Sequence, residues 1–158
     1  MLGEIDGHFR LKDSLVPVKK KYEYIVIDTP PNLSLITLNA LVASDRIIIP
    51  IQSSYLCLDG TDDLLETIEK VKKVANPNLQ IMGVLITLHD KRTNISKDVV
   101  QRIKGSFGRK VFNTIISKSV KLEEHPAYKE SIFTYAPNSV GAFQYRELAG
   151  EIIKRAKK

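Results

Sequence analysis

The chain has one cysteine, no tryptophan and only eight glycines among its 158 residues. Cys57, alone, excludes an internal disulfide framework and fits a reducing compartment. Gly3, Gly7, Gly60, Gly83, Gly105, Gly108, Gly141 and Gly150 never fall in a G-x-x-x-x-G-K-[ST] frame. The backbone cradle that grips nucleotide phosphates is therefore not encoded. No apolar run approaches the roughly 20 residues that span a bilayer. Met1-Leu2-Gly3-Glu4-Ile5-Asp6 also lacks the basic-then-apolar layout of a secretory leader, so no membrane role is expected. His8, His89 and His125 are scattered without cysteine or carboxylate at metal-site spacing, which argues against zinc.

What is present reads as a soluble globular protein, with 43% hydrophobic and 27% charged residues. Its length predicts a single α/β domain over residues 1–158. The net charge of +6 is unevenly placed. Residues 1–79 hold nine Lys/Arg against eleven Asp/Glu, whereas residues 80–158 hold fifteen against seven. Between Lys91 and Lys121, nine basic residues face one acid, Asp98. Such a polarised half suits a polyanion, because clustered cations release counterions from nucleic acid; a solvated, solubilising surface is the plainer alternative.

Continuous apolar runs predict strands at Glu23–Asp28, Arg46–Ile51, Gln80–Leu88 and Lys110–Ile116, as in a sheet covered on both faces. Helical periods fill the gaps at Ser34–Ala43, Asp59–Ala75, Ile95–Phe107 and Gly141–Lys157. In the second of these, early acids and late lysines match the helix dipole. Leu11, Leu15 and Val18 suggest one more short helix, whose end Pro17 leaves open. The alternation implies a mainly parallel, doubly wound sheet.

The run Tyr24-Ile25-Val26-Ile27-Asp28-Thr29-Pro30-Pro31 carries the most chemistry. A buried strand would deliver Asp28 to the sheet's C-terminal edge, where two prolines stop the ladder. There a carboxylate can hold the water shell of Mg²⁺, or simply cap a turn.

From Tyr22 to Lys154 the chain resembles the ParA/Soj branch of the MinD/ParA partition ATPases. The resemblance rests on Tyr24–Pro31, on Thr37–Asp45, on Ile49-Pro50-Ile51-Gln52 and on Leu58-Asp59-Gly60. It continues through Thr87–Asn94, Val120-Lys121-Leu122, Tyr135–Ala142 and Tyr145–Ala149; Gly3–Leu15 is similar to the segment before Walker B. The resemblance implies a P-loop NTPase fold, here without its N-terminal P-loop strand, together with ATP and Mg²⁺ as cofactors. It also implies an ATP-sandwich homodimer, non-specific DNA binding, a ParB-like centromere-binding partner and a cytoplasmic, nucleoid-associated location. Asp28 matches the Walker B aspartate, the metal-site residue, and Thr29, Pro30 and Pro31 match the γ-phosphate switch. Thr87 and Asp90 fall on the adenine side, where a polar strand end and a turn aspartate are the plainer reading. Arg92 and Lys121 match DNA-contacting arginines. Lys at 121 keeps the charge but loses the bidentate fork, and the acids Glu123 and Glu124 are expected to blunt it.

Without the phosphate cradle, the expectation is a partition protein that does not hydrolyse ATP alone. Two alternatives stand beside it: a DNA-binding or regulatory module that pairs with a full-length ParA, and a half-enzyme completed by another chain's P-loop. Loss of the P-loop strand is expected to uncover an apolar edge beside Tyr24–Asp28.

Overall fold

The computed structural model describes residues 7–54 and 61–157. Cys57, the stretch Leu58-Asp59-Gly60 and the predicted helix start at Asp59 lie outside them. Two compact units are formed, one within residues 1–47 and 60–80, the other within 48–59 and 81–158.

The first unit is helical. α1 (Arg10–Lys19) runs through Pro17 in its last turns, α2 spans Leu35–Ala43 and α3 spans Thr61–Val74. Asn39 ties α1 to α2, accepting from Leu11 N at 3.2 Å while its amide donates to Gly7 O at 2.8 Å. Asn76, just past α3, donates to Leu41 O and Ser44 O at 3.0 and 2.7 Å, filling carbonyls that the end of α2 leaves open.

The predicted strand at Glu23–Asp28 does not form. Residues 22–30 form neither helix nor strand and have no ladder partner among the described residues. Tyr24, Ile25 and Val26 are 44%, 37% and 92% exposed. Apolar content alone does not make a strand: the ladder needs a neighbour whose N–H and C=O groups pair with it, and no described residue pairs with this run.

The second unit carries the sheet, whose first residues (46, 47 and 80) fall within the first unit. Its order is β1 (Arg46–Gln52), β2 (Gln80–His89), β3 (Val111–Ser117). β2 and β3 are parallel. Gln80 N donates to Asp45 O and Ser53 N to Thr87 O, so β1 and β2 also rise together. α4 (Asn94–Phe107) crosses from β2 to β3, and α5 (Val120–Glu124), α6 (Ile132–Tyr135) and α7 (Val140–Ala156) follow. One core cluster of this unit is Leu85, Phe112, Ile116 and Leu148, with Ile48, Met82, Leu122 and Ile152 against it, while Val84, Ile86, Val99 and Ile103 are also fully buried.

The β2–β3 register runs Val84↔Val111, Ile86↔Ile115, His89↔Ser117. Two steps along β2 match four along β3, so a bulge at 112–114 frees the N–H groups of Asn113 and Thr114. Both donate to the Glu151 carboxylate of α7, each at 3.0 Å. Arg155, one turn on, pairs with Glu151 at 2.8 Å. Its guanidinium donates to Met82 O, Lys110 O and Val111 O and lies 4.1 Å from the Phe112 ring centroid. Gly83 makes room for it, since a Cβ there would sit 2.6 Å from Lys110 O and 2.7 Å from Arg155 Nη1. Higher up, Gln144 accepts from Ser117 N at 2.9 Å.

Candidate functional site

The residues expected to act chemically fall in both units. Asp28, Thr29, Pro30 and Pro31 belong to the first; Thr87, Asp90, Arg92 and Lys121 belong to the second.

Asp28 is exposed, and its carboxylate makes no hydrogen bond or ion pair among the described residues. Asn32 N closes the Pro30-Pro31 turn on Pro30 O at 2.8 Å, and Thr37 Oγ1 donates to Asn32 O at 2.5 Å. No cluster of three or more His, Cys, Asp or Glu side chains able to hold a metal is found among the described residues. Asp28 therefore fits one contact to a hydrated Mg²⁺, an ion that keeps several waters and takes its remaining ligands from substrate phosphates. It does not make a metal site by itself.

In the second unit the C-terminal ends of β1 and β2 meet the start of α4. The second irregularity of register, three steps along β2 against two along β3, coincides with Leu88 in the left-handed region at φ 49°. A left-handed leucine is strained, and here the kink leaves Leu88 42% exposed while the next residue, His89, is 8% exposed. The buried hydroxyls of Ser53 and Ser96 stand beside the ring: His89 Nδ1 is 3.2 Å from Ser53 Oγ, which is 3.2 Å from Ser96 Oγ.

Counting hydrogens fixes the direction of this chain. Ser96 donates its hydroxyl hydrogen to Ser53 O at 3.0 Å, so it accepts from Ser53 Oγ. Ser53 then accepts from His89, whose neutral ring carries its proton on Nδ1. Nε2 makes no hydrogen bond, and since Ser34 Oγ is the one sealed unpaired side-chain atom among the described residues, Nε2 keeps access to solvent. Burial first, and the Lys91 charge second, hold His89 below the usual histidine range, against the opposing pull of Asp90. Sequence reading set His89 aside as isolated. The available signal was that Ser53 and His89 each end an apolar run, and parallel strands bring such ends together.

Thr87 is half-buried, and its carbonyl anchors Ser53 N. Asp90 is committed to Arg92: it accepts from Arg92 Nε at 2.9 Å, Nη2 at 2.7 Å and the backbone N at 3.0 Å. These bonds, aided by the charges of Arg92 and Lys118, hold its carboxyl well below the ordinary carboxylate range. Thr93 caps α4, accepting from Ser96 N at 3.3 Å. Lys121 pairs with Glu124 at 3.1 Å and lies 5.4 Å from the Tyr135 ring centroid, while Tyr135 Oη donates to the same carboxylate at 2.9 Å. Of the two acids expected to blunt Lys121, Glu124 is the one that pairs with it.

The AAA domain family matches residues 1–81. The chain is 45% identical over 152 residues to the sporulation initiation inhibitor protein Soj of Bacillus subtilis, covering 96% of this chain and 60% of that protein. It is 41% identical over 155 residues to the chromosome partitioning protein ParA of Myxococcus xanthus, covering 98% and 55%. Among solved structures it is similar to cobyrinic acid a,c-diamide synthase of Mycobacterium smegmatis with bound ADP and magnesium, with TM-score 0.78, 30% identity and 96% and 54% coverage. The chain thus spans little more than half the length of these relatives.

Proposed function

Because the chain belongs to the ParA/Soj group of AAA-domain partition proteins, we propose that it is the DNA-face and Mg²⁺-carboxylate portion of a partition ATPase. The observation that carries this reading is the 41–45% identity to ParA and Soj proteins across nearly the whole chain. Asp28 orients Mg²⁺ through water, and Thr29, Pro30 and Pro31 form the switch beside it. When bound, the ion neutralises charge building on the phosphates. Thr87 and Asp90 flank the base. Arg92 and Lys121 contact backbone phosphates, a mode without sequence readout whose affinity falls with salt. A ParB-like protein, a second copy or a full-length ParA is the expected protein partner, and the nucleoid the expected location. No described helix is long and apolar enough to cross a membrane.

Phosphoryl transfer rests on positioning and charge stabilisation, and this chain's sequence encodes no phosphate cradle. Alone, it does not hydrolyse ATP. The exposed, unpaired Tyr24–Val26 strip supports a second reading, in which a P-loop strand from the rest of a longer polypeptide or from another chain completes the site.

Electrophoretic mobility shifts on a mixed-sequence duplex across salt test the DNA reading, with calorimetric ATP titration beside them. Salt-sensitive binding, weakened roughly tenfold or more by Arg92→Ala with Lys121→Ala, is expected. Absence of binding at low salt, or indifference to the double substitution, overturns the DNA reading. Tight ATP uptake by the isolated chain overturns the inactive one.

A further inference from the structure

Both cations expected to meet DNA are already engaged by carboxylates of their own unit. Arg92 presents its fork to Asp90 through Nε and Nη2 at 2.9 and 2.7 Å, the two-pronged geometry it would offer a phosphate. Lys121 is held at 3.1 Å by Glu124, whose carboxylate Tyr135 Oη also fixes. The Arg92 side chain is 87% exposed, so its pair is open to competition from solvent and from other anions. Asp90 is the more enclosed partner, at 24% exposure, and its Oδ1 also accepts the Arg92 backbone N–H, which anchors the acid whether or not the guanidinium stays. A second cation, Lys118, acts on Asp90 as well. Its backbone N donates to His89 O, which places it beside the same turn, ready to neutralise Asp90 once the guanidinium leaves.

We infer that Asp90 and Glu124 are internal phosphate mimics that restrain the DNA face, so that duplex binding requires Arg92 and Lys121 to exchange a carboxylate for a phosphate. The inference rests on the DNA reading above and adds an autoinhibitory contact to it. Anything that draws Asp90 away from Arg92 then raises DNA affinity.

The test is duplex affinity across a salt series for the wild-type chain, Asp90→Asn, Glu124→Gln and the charge-matched control Asp98→Asn. Asn at 90 keeps an oxygen for the Arg92 backbone N–H, so the turn is retained. Asp90→Asn should bind up to about fivefold tighter than wild type at low salt. Its log-affinity against log-salt slope should stay that of wild type, because Arg92 reaches a phosphate in both complexes. Glu124→Gln should shift affinity the same way. Asp98→Asn should give a smaller gain with no change of slope, and the gain of Asp90→Asn should vanish when Arg92→Ala is added. Equal behaviour of Asp90→Asn and Asp98→Asn, in a chain whose binding Arg92→Ala weakens, overturns the clamp while leaving the DNA reading intact. No binding by any variant at low salt overturns both.

Discussion

The outer edge of β3 and the Tyr22–Pro30 strip present the same physical problem with opposite outcomes. Both are largely apolar segments with backbone groups that no neighbouring strand among the described residues takes. At β3 the solution is on α7: Glu151 takes the bulge N–H groups of Asn113 and Thr114, Gln144 takes Ser117 N, and Arg155 fills three carbonyls. At residues 22–30 there is no such helix among the described residues, and Val26 stands 92% exposed. Side chains from one well-placed helix can replace a missing strand; apolarity cannot.

Removing the replacement should have the largest effect. Glu151→Ala leaves two bulge N–H groups without their acceptor and removes one partner of a largely buried guanidinium, and should cost about 3 kcal/mol of unfolding free energy in chemical denaturation. Glu151→Gln, which keeps one acceptor oxygen, should lose less. A cost below about 1 kcal/mol for the alanine variant would mean that the β3 edge is held some other way.

The strand ends at His89 sharpen the comparison through pH. Its ring is neutral in the folded state with a lowered pKa, so the unfolded chain binds the proton more readily. Stability should be complete above the unfolded histidine value of ~6.5 and decline as pH falls below it. His89→Asn keeps an N–H donor towards Ser53 and cannot titrate, so its melting temperature should stay flatter between about pH 6.5 and 5. Glu151 acts lower on the scale. Burial raises its pKa, but bonds from Asn113 N, Thr114 N and Arg155 outweigh that, and the stability they give is lost only as pH falls below the ordinary glutamate range.

The smallest effect belongs to the strip. Val26→Asp should change the stability of this chain by no more than about 0.5 kcal/mol. A loss above about 1 kcal/mol would show that residues 24–27 are paired in solution and would erase the contrast.

Much of the architecture was legible from pattern. The runs Arg46–Ile51, Gln80–Leu88 and Lys110–Ile116 became strands within a residue or so, because burial on both faces demands continuous apolarity. Three of the longer helices declared themselves by period, and Thr61–Val74 by its order of acids and lysines as well. Glu23–Asp28 misled because its pattern describes a strand's environment, not its partner. α5 and α6 were missed because they are four or five residues long and lean on tertiary contacts, such as Leu122 filling the space above Gly141.

At the site, residue identities were readable but their engagements were not. The Asp90–Arg92 fork needs the turn between β2 and α4. The Ser53–His89–Ser96 chain needs the register of two strands and the kink at Leu88. Glu151 carried no signal in the sequence, because the bulge it serves is a mismatch between β2 and β3, which neither strand's sequence displays alone.

Glu151 and its neighbours also give the sheet a direction of growth. With one flank sealed by α7, any foreign strand has to join from the other side. Self-association through this sheet is thereby confined to the β1 side.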